Sequence, residues 1–287
     1  MRTDAPRVAV LLAAYNGDQW ISSQLDSIWS QQCVIVDLFV SLDRSSDNTL
    51  AYLKNLEEHH NNLFILPYGE RFGGAARNFY RLIRDVNVSC YDYVAFADQD
   101  DIWLPGKLYR GIDAMQSSES TAYSSDVTAF WQSGREKLIK KSYQQKDFDF
   151  IFESAGPGCT YVFKATEFMG FQNFVISNWG SVVEIEFHDW LAYAYFRSRD
   201  YKWLIDDSAL MLYRQHENNQ FGANSSWAAY RSRLNLIKNG WYAHQVRSIA
   251  SVLGLAPFTK KFIFLNFKQT RRRNLDAISM LVFGWFF

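Results

Sequence analysis

The 287-residue sequence lacks any run of 18 or more apolar residues, so no segment is predicted to span a membrane as a helix. Its three cysteines, Cys33, Cys90 and Cys159, are odd in number and form no C-x-x-C pair. This pattern argues against a disulfide framework or a zinc site and favours a reduced, cytosolic setting. We expect no signal peptide, and no G-x-G-x-x-G follows the first predicted strand, which disfavours a dinucleotide-binding fold.

The net charge is zero, but the two signs are unevenly distributed. Residues 218–287 carry 10 Lys and Arg side chains and a single acid, Asp276. Aromatic residues accompany these cations in Lys260–Lys268 and near Arg271–Arg273. A basic, aromatic tail suits an anionic membrane surface. A helical appendage packed on the rest of the chain, or an oligomer contact, would have the same composition. No RNA- or DNA-binding module is visible, so nucleic acid is not an expected partner.

Apolar segments alternate with amphipathic ones in the first hundred residues. Strands are predicted at Arg7–Leu12, Val34–Ser41, Leu63–Leu66 and from Tyr93, with helices between them that include Ala75–Asp85. This β-α-β order predicts a Rossmann-like parallel sheet. The second half is less regular, with a loop-rich segment at 137–150, a helix from His188, helices beyond Trp227 and strands at Thr121–Ser125, Cys159–Phe163, Lys202–Ile205 and Ala209–Tyr213.

Three carboxylates follow the fourth predicted strand within four positions: Asp98, Asp100 and Asp101. Open α/β sheets bind ligands at the carboxyl ends of their strands. Clustered carboxylates repel one another unless a cation joins them, so the pattern predicts a metal-diphosphate site. An EF-hand is excluded because the sixth loop position is Trp103 instead of Gly and the twelfth is Tyr109 instead of Glu. A solvated turn or helix cap is the alternative interpretation.

Seven segments occur in a recognisable order: Ala14–Gly17, Asp43–Thr49, Gly74–Phe79, Ala97–Trp103, Gly158–Thr160, His188–Trp190 and Tyr213–Asn219. Together they resemble glycosyltransferase family 2, the inverting enzymes with a GT-A fold. The nearest likeness is to the rhamnosyltransferase-like branch, which builds bacterial cell-surface polysaccharides such as O-antigen.

The resemblance implies an α/β, Rossmann-like mixed sheet flanked by helices. The catalytic domain would occupy residues 1–222, with a nucleotide-binding half at 1–115 and an acceptor half at 116–222. Residues 223–287 would form a helical, basic and aromatic extension that associates with a membrane.

The resemblance also implies roles for individual residues. The nucleotide-binding positions are Ala14, Tyr15, Asp43, Arg77 and Asp98, with Tyr15 against the base and Asp98 holding the ribose or a metal-bound water. For Arg77, an exposed helical charge is an equally good interpretation. The family pattern has two acids followed by Gly at the Asp43 position, whereas this sequence has Leu before it and Arg after it.

Metal binding is implied for Asp100, Asp98 and His216, with Mg²⁺ or Mn²⁺ as the cofactor. Asp189 matches the catalytic base of the family, and its alternative role is to cap the helix that follows. The acceptor positions would be Trp103, Trp190 and Gly158. Here His188 replaces a Glu that often precedes the catalytic Asp.

The function so implied is a metal-dependent transfer, with inversion, of a sugar from a dTDP- or UDP-sugar. Rhamnose follows from the branch resemblance alone. The acceptor would be a hydroxyl of a growing polyprenyl-diphosphate-linked glycan, and the enzyme would be cytoplasmic and peripheral at the inner leaflet. A non-catalytic sugar-nucleotide-binding homologue remains open because of Leu42, Arg44 and His188. A sugar-nucleotide pyrophosphorylase is less favoured because Ala13–Gly17 is not a Gly-rich loop containing Arg.

Overall fold

The computed structural model describes residues 5–216 and 239–283. Eleven strands are described in these ranges: β1 Arg7–Ala14, β2 Ile35–Leu42, β3 Leu63–Ile65, β4 Tyr93–Asp98, β5 Ile102–Trp103, β6 Ala122–Ser125, β7 Val127–Trp131, β8 Glu136–Ile139, β9 Val162–Lys164, β10 Trp203–Asp206 and β11 Met211–Gln215. The helices are α1 Ile21–Trp29, α2 Thr49–Glu57, α3 Ala75–Asp85, α4 Lys107–Ser117, α5 Asp149–Phe152, α6 Ala165–Ser177, α7 Trp179–Val182, α8 His188–Ser198, α9 Trp241–Val252, α10 Lys260–Thr270 and α11 Asn274–Phe283.

Seven strands form the central sheet in the order β10-β6-β9-β4-β1-β2-β3. Strand β1 lies between β2 and β4 and is parallel to both. Its residues Val8–Leu12 are fully buried because helices cover both faces of the sheet. Strand β9 runs antiparallel to both β4 and β6, which makes the sheet mixed, as predicted.

The predicted strand Cys159–Phe163 is wrong in its first half. Gly158–Thr160 forms a 3₁₀ turn, and only Val162–Lys164 pairs as a strand. Part of the segment 137–150 is also more regular than predicted, since it contributes to β8 and to the start of α5.

A second sheet of four strands has the order β5-β11-β7-β8. Strand β5 comes directly after the acidic turn, and β11 pairs with it antiparallel through Met211 and Trp103. This pairing returns the chain to the acidic turn, so the residues at the end of β11 lie beside Asp100 and Asp101.

The C-terminal extension packs on the catalytic core. Val246 and Ile249 of α9, Ile263 of α10 and Met280 of α11 are all buried in the same apolar cluster as α8. The predicted domain boundary at 222 lies outside the described residues, as do Glu217–Asn219 of the seventh segment. Within the described ranges, no helix has both the length and the apolar character needed to cross a membrane.

Candidate active site

The carboxyl ends of β1, β2 and β4 meet at one edge of the central sheet. Ala13 is aligned with Asp98, and Ala14 is aligned with Leu42. The amide of Asp43 then donates a hydrogen bond to the Ala14 carbonyl at 2.8 Å. Parallel pairing therefore brings together residues that are far apart in sequence, and this edge is where such sheets bind ligands.

The turn after β1 is held by Gln99. The Tyr15 amide donates to Gln99 Oε1 at 2.9 Å, and Gln99 Nε2 donates to the Tyr15 carbonyl at 2.8 Å. A Cβ added at Gly17 would lie 2.3 Å from Gln99 Oε1, so a side chain here would displace the Gln99 amide that holds the turn. The Tyr15 side chain is 52% exposed, which leaves its ring available for stacking.

Asp43, a predicted nucleotide-binding residue, orders a backbone loop at the site. It is buried, and its carboxylate accepts hydrogen bonds from the amides of Arg44 at 2.7 Å, Phe72 at 2.9 Å and Gly73 at 2.9 Å. These bonds fix the loop that leads into α3. The described structure therefore gives Asp43 a loop-ordering role, and no direct contact to a nucleotide base is needed to explain its burial.

Asp98, Asp101 and Cys159 form a compact cluster below this edge. One ligand atom of each lies within 4.8 Å of the other two. Burial, followed by the charge of Asp100, raises the pKa of Asp98 to about 7. Burial also raises the pKa of Asp101 and of the Cys159 thiol. A divalent cation would relieve the repulsion between the carboxylates.

Asp100 and His216 come into direct contact, although they are 116 positions apart. His216 Nε2 lies 2.6 Å from Asp100 Oδ2. The imidazole stacks on the indole of Trp20, with ring centroids 4.2 Å apart. Arg214 holds the end of β11 against the acidic turn, since its amide donates to Asp101 Oδ1 and its Nε donates to the Asp100 carbonyl. A cavity of about 490 Å³ lies beside this group.

Asp189 lies in the first turn of α8 and is partly buried. Burial raises the pKa of Asp189 to about 6, although the Trp190 amide, Lys141 and Ser154 each oppose that rise. Its charge also contributes to the raised pKa of Asp98, so the two carboxylates share one electrostatic environment. A pKa near 6 suits a carboxylate that accepts a proton at neutral pH.

Gly158 packs directly against α8. A Cβ at this position would lie 2.8 Å from His188 Nε2 and 3.0 Å from Asp189 Cβ. The predicted acceptor residue is therefore buried and permits close approach of its turn to the candidate base. His188 is also buried, and it stacks on Phe79 at 3.8 Å. Burial lowers the pKa of His188 to about 3, so its imidazole is neutral.

Arg77 lies in the first turn of α3, on the wall of a cavity of about 460 Å³. Its Nε donates to the Val183 carbonyl at 3.0 Å, and its Nη2 lies 3.4 Å from Glu184. Gly73 and Gly74 line the same cavity ahead of the helix N-terminus. The side chain is half exposed, so it is positioned to meet an anion that enters from solvent.

The Glycosyl transferase family 2 sequence profile matches residues 9–173. The chain belongs to this family. It is 43% identical over 282 residues to the dTDP-rhamnosyl transferase RfbG of Shigella flexneri, covering 94% of this chain and 98% of that protein. A shorter match, 28% identical over 108 residues, joins 38% of this chain to 40% of the Escherichia coli glucosyltransferase WfgD, which acts on a diphosphoundecaprenol-linked GlcNAc.

Solved structures agree on a GT-A fold for this family 2 glycosyltransferase. The mannosyltransferase PcManGT of Pyrobaculum calidifontis, in complex with GDP-Man and Mn²⁺, superposes with a TM-score of 0.59 at 18% identity. The superposition covers 99% of this chain and 74% of the PcManGT chain. TarS of S. aureus gives a TM-score of 0.56 at 13% identity, with 98% of this chain and 89% of TarS covered.

Trp103 and Trp190, two of the predicted acceptor positions of this glycosyltransferase, are both buried. Trp103 is 1% exposed and packs in the core behind the acidic turn. Trp190 is 5% exposed, its Nε1 donates to the Phe150 carbonyl at 3.0 Å, and its ring stacks on Tyr242. Neither indole has a free face for a sugar, because both are needed to fill the core.

Three site residues escaped the sequence interpretation. Cys159 completes the acidic cluster, and its signal was its position directly after Gly158. Trp20 stacks on His216, but a tryptophan before a predicted helix does not indicate a contact with a residue so far along the sequence. Lys107 is 2% exposed, with Nζ 3.6 Å from the Trp103 ring centroid, and burial lowers its pKa to about 7. A lysine in the first turn of a helix would ordinarily be read as a solvated charge.

Proposed function

We propose that this protein is a metal-dependent, inverting rhamnosyltransferase. It takes rhamnose from dTDP-rhamnose and transfers it to a hydroxyl of a growing, lipid-linked surface glycan. The observation that carries the chemistry is the placement of Asp189, with a pKa near 6, in the same electrostatic environment as the Asp98 and Asp100 carboxylates. The donor assignment rests on the 43% identity to dTDP-rhamnosyl transferase RfbG over almost the whole of both chains.

The donor would lie across the edge formed by β1, β2 and β4. The exposed Tyr15 ring is free to stack on the base, and the Asp43-ordered loop brings Gly73 and Gly74 to the start of α3. Amides at a helix N-terminus and the Arg77 guanidinium favour phosphate oxygens. These groups would orient the diphosphate so that the anomeric carbon faces the acceptor side.

The residues at the acidic turn fit a divalent cation. Burial, and after it the charge of Asp100, raises the pKa of Asp98, and the His216 imidazole lies 2.6 Å from Asp100. Asp98, Asp100 and His216 would hold Mg²⁺ or Mn²⁺, since oxygen ligands accept both. When bound, the cation neutralises the charge that develops on the departing diphosphate.

Asp189 would act as the general base. As the acceptor oxygen forms its bond to the anomeric carbon, the bond from that carbon to the diphosphate breaks, and the hydroxyl proton passes to the Asp189 carboxylate. Attack from the face opposite the leaving group inverts the configuration. Burial keeps Asp189 basic enough to accept the proton while leaving most of it ionised at neutral pH.

Asp189→Asn tests this role. We expect the rate of transfer from dTDP-rhamnose to fall about 10²–10⁴-fold, because the amide cannot accept the proton. Nucleotide binding should change little, since Asp189 contacts the acceptor side. Transfer would be followed by release of dTDP, and binding by calorimetry.

The same variant controls for folding. A charged Asp189 destabilises the folded protein at neutral pH, because its pKa is raised above that of an unfolded chain. The Asn variant should therefore unfold at an equal or higher temperature than the wild type. Turnover at the wild-type rate would contradict the base assignment.

The outward face of the extension would bring the enzyme to its acceptor. Phe264, Leu265, Leu275 and Ile278 are 54–73% exposed on α10 and α11. Exposed lysines, including Lys261 and Lys268, accompany them. Large apolar side chains beside cations match an anionic lipid surface that carries a lipid-linked glycan.

A further inference from the structure

Arg272 of the C-terminal extension is buried in the catalytic core. The residue is 6% exposed, and its Nη1 donates to Asp149 Oδ2 at 3.1 Å. Its Nη2 donates to the Ser154 carbonyl at 2.6 Å, and its backbone amide donates to Glu153 Oε1 at 2.6 Å. A single arginine therefore contacts Asp149, Glu153 and Ser154, which all belong to the segment that runs from α5 to the Gly158 turn.

Asp149 also contacts α8, the helix that carries Asp189. The carboxylate is fully buried and accepts hydrogen bonds from Tyr193 Oη at 2.8 Å and from Arg197 Nη1 at 3.1 Å. Both donors belong to α8, and Tyr193 follows Asp189 by about one helical turn. The extension and α8 thus share one buried carboxylate.

The segment after Asp149 reaches Asp189 from the other side. Ser154, whose carbonyl Arg272 holds, is close enough to Asp189 for its side chain to lower the pKa of that carboxyl, and its Oγ donates to the Gly156 carbonyl at 3.2 Å. Tyr161 Oη donates to the Gly156 carbonyl and accepts from the Ala155 amide, which fixes the turn leading to Gly158. Gly158 then packs against the Asp189 Cβ.

Tyr242 of α9 adds a second point of attachment. Its ring stacks on Trp190, the residue next to Asp189, and its hydroxyl donates to the Phe152 carbonyl at 2.7 Å. The guanidinium carbon of Arg271 lies over the Tyr242 ring, 5.2 Å from its centroid. The extension therefore contacts both α8 and the facing segment.

We infer that Arg272 is a positioning residue for the base: the C-terminal extension sets the orientation of Asp189 by holding α8 through Asp149 and the facing turn through Ser154. The inference rests on the proposed role of Asp189. It also means that the extension is part of the catalytic apparatus, in addition to any contact with lipid. Misplacing a reacting group by about 1 Å is enough to reduce a rate about 10²-fold.

Arg272→Met tests the inference, with Arg247→Met as the matched control because Arg247 is exposed on the same extension. We expect kcat for rhamnosyl transfer to fall about 10²-fold in Arg272→Met, with the dTDP dissociation constant within twofold of wild type. Arg272→Lys should recover only part of the loss, since an ammonium cannot reproduce the planar contacts to Asp149 and Ser154. Arg247→Met should behave as wild type.

Chemical rescue separates positioning from a general loss of structure. Added guanidinium at millimolar concentration should raise kcat of Arg272→Ala, because the ion refills the site between Asp149 and Ser154. A folded Arg272→Met that keeps wild-type kcat would overturn the inference. So would a loss of dTDP binding in proportion to the loss of transfer, because that result indicates a purely structural role.

If the Arg272 variants do not fold, Tyr193→Phe tests the inference in their place. It removes one donor to Asp149 but leaves both arginines, and we expect kcat to fall about tenfold with unchanged donor KM. Wild-type kcat in folded Tyr193→Phe would then overturn the inference. If the wild-type enzyme itself shows no transfer from dTDP-rhamnose, the proposed function fails instead, and the two failures are therefore distinguishable.

Discussion

At the scale of single residues, burial raises the pKa of two carboxyls in the candidate site. Burial and the neighbouring Asp100 charge raise the pKa of Asp98 to about 7. Burial raises the pKa of Asp189 only to about 6, partly because Lys141 and Ser154 oppose the rise. The two carboxylates differ in position, since Asp98 ends β4 at the acidic turn and Asp189 lies in the first turn of α8 against Gly158.

The pKa of Asp189 predicts a pH dependence. A base must be ionised to accept a proton, so kcat/KM for the acceptor should fall as the pH drops through about 6, approaching tenfold per pH unit below it. An ordinary exposed aspartate would place this limb near pH 4. The measurement is initial rates of dTDP release between pH 4.5 and 8, with saturating Mn²⁺ and donor. Rates that stay constant down to pH 4.5 would contradict the assignment.

At the scale of elements, the extension has two faces. The inward face carries Arg272 and Tyr242 and packs on α5 and α8. The outward face of α10 and α11 exposes Phe264 and Leu265. Of the three consecutive cations Arg271–Arg273, only Arg273 is exposed, so the predicted basic patch is smaller than its sequence indicated.

The double variant Phe264→Ser, Leu265→Ser should weaken binding to vesicles that contain anionic lipid. Full burial of a large apolar side chain stabilises association by about 1.5–3 kcal/mol, so the loss should be about tenfold or more. Vesicle sedimentation would measure it, at low and high salt.

Leu138→Ser provides the matched control, because Leu138 is 57% exposed on β8. It should bind vesicles as the wild type does, and both proteins should keep transfer to a soluble acceptor. Unchanged sedimentation of the double variant would show that this face does not bind lipid.

At the scale of the whole molecule, hydrophobic periodicity predicted most of the fold. Helix α3 has the predicted bounds Ala75–Asp85, and β1 and β2 lie within two residues of their predicted ends. The order of elements also predicted that the carboxyl ends of β1 and β4 lie at the same edge of the sheet, which brings Tyr15 and Asp98 together. The contact between Asp100 and His216 was also expected, since both were assigned to one metal site.

The failures have a common physical cause, because burial and backbone contacts are decided by tertiary packing. Trp103 and Trp190 were predicted as acceptor positions, yet their indoles fill the core. The carboxylate of Asp43 orders a backbone loop, a contact that its place in the sequence does not signal. The link from Arg272 to Asp149 spans 123 positions, and nothing local to either residue signals it.

Calorimetric titration of dTDP and of UDP into the purified protein, with Mn²⁺ and then with EDTA, tests the central claim most directly. We predict that dTDP binds in the presence of Mn²⁺, more tightly than UDP, and that EDTA abolishes this binding because the acidic turn needs a cation to hold a diphosphate. Binding of dTDP that EDTA leaves unchanged would contradict the metal site. A folded protein that binds neither nucleotide would contradict the proposed function.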